Sequence, residues 1–172
     1  MDLIVSEVEY VAFDLFGTVF DLSATERQDR SDYIAHVRKP QWSPLTLPVS
    51  WLDLPLHPDS LDGIRLIANK YRVVSCSNAP YDFTVDLLIR SGLDSVMAIT
   101  DIARNQCYKP HPDSYKSICQ QFPVEPQNVL MVTGNAGSPD VDGARAVGMQ
   151  SILIRQPGTP QTIIELAELL GC

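Results

Sequence analysis

Short runs of β-branched and apolar residues recur along the chain, separated by longer polar stretches. The first holds Val8, Tyr10, Val11, Ala12 and Phe13. Others are Tyr71–Cys76, Val96–Ile99, Val129–Thr133 and Ser151–Ile154. Runs this short and this apolar predict strands buried on both faces of a sheet. Between them Pro58, Pro80, Pro112, Pro139 and Pro160 each stand where a helix would begin. Proline suits a first helical turn, whose N–H has no intrahelical partner. The expected helices are 58–70, 80–91, 112–121, 139–147 and 160–170. Strands alternating with helices imply βαβ units, so the chain reads as an α/β fold with a mainly parallel five-stranded sheet.

Residues 21–56 interrupt that rhythm. The polar stretch Asp21–Lys39 accommodates one helix over Thr25–Val37, with Ile34 and Val37 as a thin apolar edge. After it come prolines at 40, 44, 48 and 55, which forbid a continuous helix and favour an extended path. Trp42, Trp51 and several leucines mark this as a packed segment, either covering the core or forming an interface. The expected organisation is a core of residues 1–20 and 57–172 carrying a small insertion at 21–56.

Composition narrows the class. A chain of 172 residues is one domain by length, and 45% hydrophobic with 20% charged residues is ordinary for a globular protein. The net charge of −8 argues against a nucleic-acid surface. No apolar run approaches the roughly 20 residues of a membrane span. The acidic start, Met1-Asp2-Leu3-Ile4, lacks the basic opening of a signal peptide. Cys76, Cys107, Cys119 and Cys172 have no paired spacing, and Cys76 and Cys119 read as core thiols. These features predict a reduced, cytoplasmic protein without zinc. His57 and His111 each precede a proline and read as residues at helix starts.

The chemistry gathers at strand ends. The first strand ends on Asp14, with Gly17 allowing a sharp turn after it. The second ends at Ser75-Cys76-Ser77-Asn78, and the fourth at Thr133-Gly134-Asn135, followed by Asp140 and Asp142. In a parallel sheet these ends share one edge, where ligands bind. Lys109 follows the third strand through a loop and can reach the same place. Each residue has a plainer role: Asp14 as a turn former, Ser77 and Asn78 as helix caps, Asp140 as a complement to a helix dipole, Tyr115 as packing. Together they allow nucleophilic catalysis by a carboxylate. Asp14 would attack, Lys109 would keep it ionised, and Ser77 with nearby backbone N–H groups would hold an anionic substrate.

This order of groups resembles the haloacid dehalogenase-like hydrolase superfamily. Its motifs correspond to Asp14-Leu15-Phe16-Gly17-Thr18, Ser77-Asn78, Lys109-Pro110 with Tyr115, and Asp140-Val141-Asp142-Gly143-Ala144 followed by Gly148-Met149. The resemblance implies a Rossmann-like three-layer sandwich. It implies a covalent ester on Asp14, with Ser77, Lys109 and Asp140 as the other catalytic residues. Phe16, Thr18, Asn78, Asn135 and Tyr115 are the implied substrate contacts, and Asp14, Asn135 and Asp140 the implied ligands if magnesium is used.

Two departures sharpen the reading. Superfamily phosphatases carry a general-acid Asp two residues after the nucleophile, and here that residue is Phe16. The fourth motif usually opens Gly-Asp, and here it opens Gly134-Asn135, a neutral ligand for a hard cation. The 2-haloacid dehalogenase branch shares the aromatic residue, Phe20-Asp21 shortly after Gly17-Thr18, and the Lys109 to Tyr115 spacing. That branch works without a metal on small anionic substrates, under a larger helical cap with a halide-binding arginine. Arg27, Arg30 and Arg38 are the candidates here. A short proline-rich cap is expected to leave the site open, suiting a large substrate or protein partner better than a two-carbon acid. The expected function is therefore a hydrolase of this superfamily, dehalogenase-like and metal-independent. A magnesium-dependent phosphatase and a non-catalytic binding member are the alternatives.

Overall fold

The computed structural model describes residues 7–137 and 139–172. Five strands form one sheet in the order β3-β2-β1-β4-β5, every pair parallel. They are β1 (Tyr10–Phe13), β2 (Arg72–Ser75), β3 (Ala98–Ile99), β4 (Val129–Thr133) and β5 (Gln150–Leu153). The helices are α1 (Arg27–Val37), α2 (Ser60–Ala68), α3 (Tyr81–Ser91), α4 (Pro112–Gln121), α5 (Asp140–Ala146) and α6 (Ile163–Leu169). The expected α/β sandwich is observed, with each core helix close to its expected span. Pro112 opens α4, while Pro80 and Pro139 stand immediately before α3 and α5. No helix among the described residues is long and apolar enough to cross a membrane.

Alternation along β1 separates the two layers. Val11 and Phe13 face a cluster with Ile64 and Ile67 of α2, Leu87 and Leu88 of α3, and Ile163 and Leu166 of α6. Tyr10 and Ala12 face Tyr115 and Ile118 of α4 and Ala144 of α5. Side chains of successive strand residues point to opposite faces, so a sheet covered on both sides is apolar at every position. All four residues of β1 and all five of β4 are buried.

Residues 21–56 leave and rejoin the core at one point. Asp21 N–H donates to Pro55 O (2.9 Å) and His57 N–H to Val19 O (3.1 Å). Within the segment, α1 has no fully buried residue. Its extended partner contributes Leu45, Leu47, Trp51 and Leu54 to the main core. Trp51 sits in a short 3-10 turn, Val49–Asp53, and is 1% exposed. The segment is also clipped to the loop before α4: Tyr108 donates its hydroxyl to Ser43 O (2.6 Å), and its ring stacks on Trp42. Trp51 and the leucines therefore cover the core, while Trp42 packs on Tyr108. Cys76 is buried as expected, whereas Cys119 is only partly buried at the margin of the second cluster.

Candidate active site

Register sets the geometry. Phe13 pairs with Ser75 of β2 and with Val132 of β4, and Thr133 with Leu153 of β5. The strands thus end level, and the residues just past them share one edge. Asp14 follows β1, Ser77 and Asn78 follow β2, Gly134 and Asn135 follow β4, and Arg155 lies two residues beyond β5.

Asp14 is the hub. Its Oδ1 accepts from Lys109 Nζ (3.0 Å), and its Oδ2 accepts from the Thr18 hydroxyl (2.9 Å) and Asn135 Nδ2 (2.6 Å). Lys109 Nζ also donates to Asp140 Oδ2 (2.9 Å), and the Tyr115 hydroxyl donates to Asp140 Oδ1 (2.7 Å). Burial raises the Asp14 pKa above the ordinary carboxylate value; Asp140 pushes the same way and Lys109 pulls against both. For Lys109, burial favours the neutral form, but the carboxylates of Asp14 and Asp140 outweigh it and hold its pKa well above the usual lysine value. Burial and then Asp140 raise the Tyr115 hydroxyl, keeping it a neutral donor.

Two glycines permit this packing. Gly17 has φ +80°, and a Cβ there would collide with the Asn135 side chain. At Gly143 a Cβ would lie 2.5 Å from the Tyr115 ring. Any side chain at Gly143 would push Tyr115 off Asp140.

Asp14, Phe16, Asn78, Lys109, Asn135 and Asp140 line a cleft of about 450 Å³, an ordinary size for a small-molecule site. Three other expected site residues act from behind or beside it. Thr18 and Tyr115 are fully buried and reach Asp14 and Asp140 rather than the cleft. Ser77 is buried and accepts the Ala79 N–H (3.2 Å), a local turn contact. Asn78, besides lining the cleft, accepts the Lys109 backbone N–H (2.8 Å) and so holds the lysine's loop.

The insertion supplies the other wall: Leu22, Arg30, Tyr33, Ile34, Val37 and Arg38. Tyr33 had no distinguishing sequence signal. It packs edge-on to Phe16 (5.8 Å) and beside Trp51 (5.7 Å), while Phe16 meets Trp51 at 5.1 Å. Its hydroxyl pKa is raised by burial and by the charge of Asp14. Arg30 is committed to Leu22 O and to the carbonyl and hydroxyl of Thr25. Arg38 is exposed at the cleft wall, and Arg27 does not line it.

Asp14, Asn135 and Asp140, as arranged, do not fit a magnesium ion. The Lys109 ammonium already bridges the two carboxylates. Asn135 turns its NH₂ toward Asp14 and toward the Phe16 carbonyl (2.9 Å), two acceptors that fix the amide orientation. A hard cation needs oxygens there. Among the described residues no cluster of three His, Cys, Asp or Glu side chains forms a metal site.

An α/β sheet with a carboxylate–lysine–carboxylate cluster at its carboxyl edge defines a candidate hydrolase. The pattern of the haloacid dehalogenase-like hydrolase family matches residues 26–148, and the chain belongs to that family. The (S)-2-haloacid dehalogenase of Xanthobacter autotrophicus is 27% identical over 190 aligned positions, covering 82% of this chain and 72% of the relative. The structure of an L-2-haloacid dehalogenase from the same organism, with chloropropionic acid covalently bound, superposes with a TM-score of 0.68 at 22% identity over 95% of this chain and 87% of that one. A haloacid dehalogenase-like phosphatase from Thermococcus onnurineus superposes with a TM-score of 0.71 at 20% identity over 95% and 98%. The shared fold therefore spans both chemistries.

Proposed function

We propose that this hydrolase cleaves a carbon–halogen bond of a small halogenated carboxylic acid, with Asp14 as nucleophile and no metal. The observation that carries the reading is the Asn135 amide, whose NH₂ donates to Asp14 Oδ2 and to the Phe16 carbonyl and so occupies oxygens a divalent cation would need. Phe16 supports it, because expulsion of halide from carbon requires no general acid. The Xanthobacter relative, named for this activity, supports the substrate class.

In the first step an Asp14 carboxylate oxygen forms a bond to the halogen-bearing carbon, and the halide leaves with the bonding electron pair. Thr18, Asn135 and Lys109 hold the carboxylate in one orientation, converting much of the entropic barrier into prior order. Arg38, free of the backbone contacts that occupy Arg30, offers positive charge to the halide or the substrate carboxylate. In the second step water attacks Asp14 Cγ, and the acyl carbon–oxygen bond breaks. The released alkoxide takes up a proton, giving the hydroxy acid. Asp140, oriented by Lys109 and Tyr115, accepts the water's proton. The sum is one hydroxy acid, one halide and one proton. Residues 21–56 act as a reduced cap, with Tyr33 and Phe16 forming the apolar wall.

The test is halide release from a panel of 2-halo acids, followed by a single turnover in H₂¹⁸O. One ¹⁸O in Asp14 is expected after one cycle. Release of phosphate from phosphate esters, dependent on magnesium, with no halide release, would overturn the proposal in favour of a phosphatase.

A further inference from the structure

Arg155 and Gln156 do not line the cleft, yet both grip the loops that do. Arg155 has a φ of +60°, a left-handed conformation uncommon for a residue with a side chain. Such a conformation persists only where surrounding contacts determine it. Here the Arg155 N–H donates to Pro160 O (2.7 Å), and the guanidinium uses every donor it has. Nε donates to Thr18 O (3.0 Å). Nη1 donates to Asp59 Oδ1 (2.9 Å) and Gln161 O (3.2 Å). Nη2 donates to Asp59 Oδ2 (3.0 Å) and Ser60 Oγ (3.4 Å). Asp59 is anchored in turn by the Ile163 N–H at the start of α6 (2.6 Å). Gln156 Nε2 donates to Gly134 O (2.9 Å).

The two gripped carbonyls flank the donors of one oxygen. Thr18 gives its carbonyl to Arg155 and its hydroxyl to Asp14 Oδ2. The same hydroxyl accepts the Gly134 N–H (2.7 Å), tying the two loops together. Gly134 gives its carbonyl to Gln156, and its neighbour Asn135 donates to the same Asp14 Oδ2.

We infer that Arg155 and Gln156 are positioning residues for the nucleophile: they hold the Thr18 and Asn135 loops so that Asp14 Oδ2 is fixed by both donors. The inference rests on Asp14 being the reacting group. An ion pair serving stability alone would need Asp59 and nothing from Thr18 O or Gly134 O. Lysine at 155 would keep the charge facing Asp59 but could not hold two partners in the fork that guanidinium provides.

The experiment compares wild type, Arg155→Lys and Gln156→Ala as full chains, with melting temperature, kcat and KM on whichever halo acid the wild type turns over. The Asp14 ¹³Cγ and Asn135 side-chain amide resonances are recorded on the same samples. For Gln156→Ala the expected result is a kcat reduced about 10- to 100-fold with KM little changed, the range a sub-ångström misplacement produces. Its melting temperature should stay close to wild type, and both sets of resonances should move. Unmoved Asp14 and Asn135 resonances overturn the inference, as does a kcat loss matched by an equally destabilised core variant such as Ile118→Val. If the wild type releases no halide, the hydrolytic reading fails separately, and the resonances still decide the positioning role.

Discussion

The Lys109 ammonium stands 3.0 Å from Asp14 Oδ1, and both side chains are more than nine-tenths shielded from solvent. With Asp140 on its other side, one cation serves two carboxylates. Asp14→Asn is expected to abolish halide release. It should also cost about 1–3 kcal/mol of stability, because the new NH₂ must face another donor, Lys109 on one side or Asn135 on the other. Urea unfolding and halide assays on the same preparation check both parts. Full activity in this variant would remove Asp14 as nucleophile.

The pH dependence follows from the same pair. Attack requires ionised Asp14, and burial holds its pKa above the ordinary 3.8. Activity should therefore fall on the acid side with a midpoint above 3.8. Lys109 is the largest influence pulling that pKa down. Lys109→Met should move the acid midpoint further up as well as lowering kcat. On the alkaline side Lys109 stays charged through the ordinary lysine range near 10.5, so no loss from its deprotonation is expected there. A kcat profile from acid to alkaline pH, in both proteins, measures these limbs.

The sheet, its helices and the Asp14–Lys109–Asp140 cluster were legible because strand ends converge, and a polar residue after an apolar run is easy to see. Arg155 obeys the same rule: it lies just past β5 on the same edge. The apolar pattern ends at Ile154, so no signal in the sequence marks Arg155. Tyr33 was not legible, since α1 lacks a strong apolar face and the residue's position depends on Trp51 from a proline-rich stretch without period. Thr18 and Tyr115 lie in recognisable motifs, but spacing does not tell a residue that touches substrate from one that holds a neighbour. Only their full burial makes that distinction.

Trp51 fixes the insertion to the core, so its loss should be felt in both stability and activity. It is 1% exposed and meets Phe16 and Tyr33 edge-on or tilted. Trp51→Ala should destabilise by about 3–5 kcal/mol, the usual cost of removing a large buried aromatic side chain. Its indole N–H is buried with no hydrogen-bond partner. Trp51→Phe should therefore cost much less, since no hydrogen bond is lost. If Tyr33 is held over the cleft by Trp51, Trp51→Ala should also raise KM, and Trp51→Phe should restore it. Denaturant titration with steady-state kinetics on the two variants separates packing from substrate contact.

Phe16 stands where a phosphatase would place its general acid, and its surroundings argue that restoring the acid would not restore that activity. The side chain is 3% exposed, with Trp51 at 5.1 Å and Tyr33 at 5.8 Å. An aspartate there would lose these ring contacts, about 3–5 kcal/mol for a buried phenylalanine. It would also put a third carboxyl group near Asp14 and Asp140 with a single lysine between them. Burial and like charge would both favour its protonated form. Meanwhile the Asn135 amide and the Lys109 ammonium would still oppose a divalent cation. Phe16→Asp is thus expected to be strongly destabilised, to lose halide release, and to gain no magnesium-dependent hydrolysis of p-nitrophenyl phosphate. A stable Phe16→Asp variant with magnesium-dependent phosphatase activity would show that the single residue, rather than the aromatic wall and the lysine together, sets the chemistry.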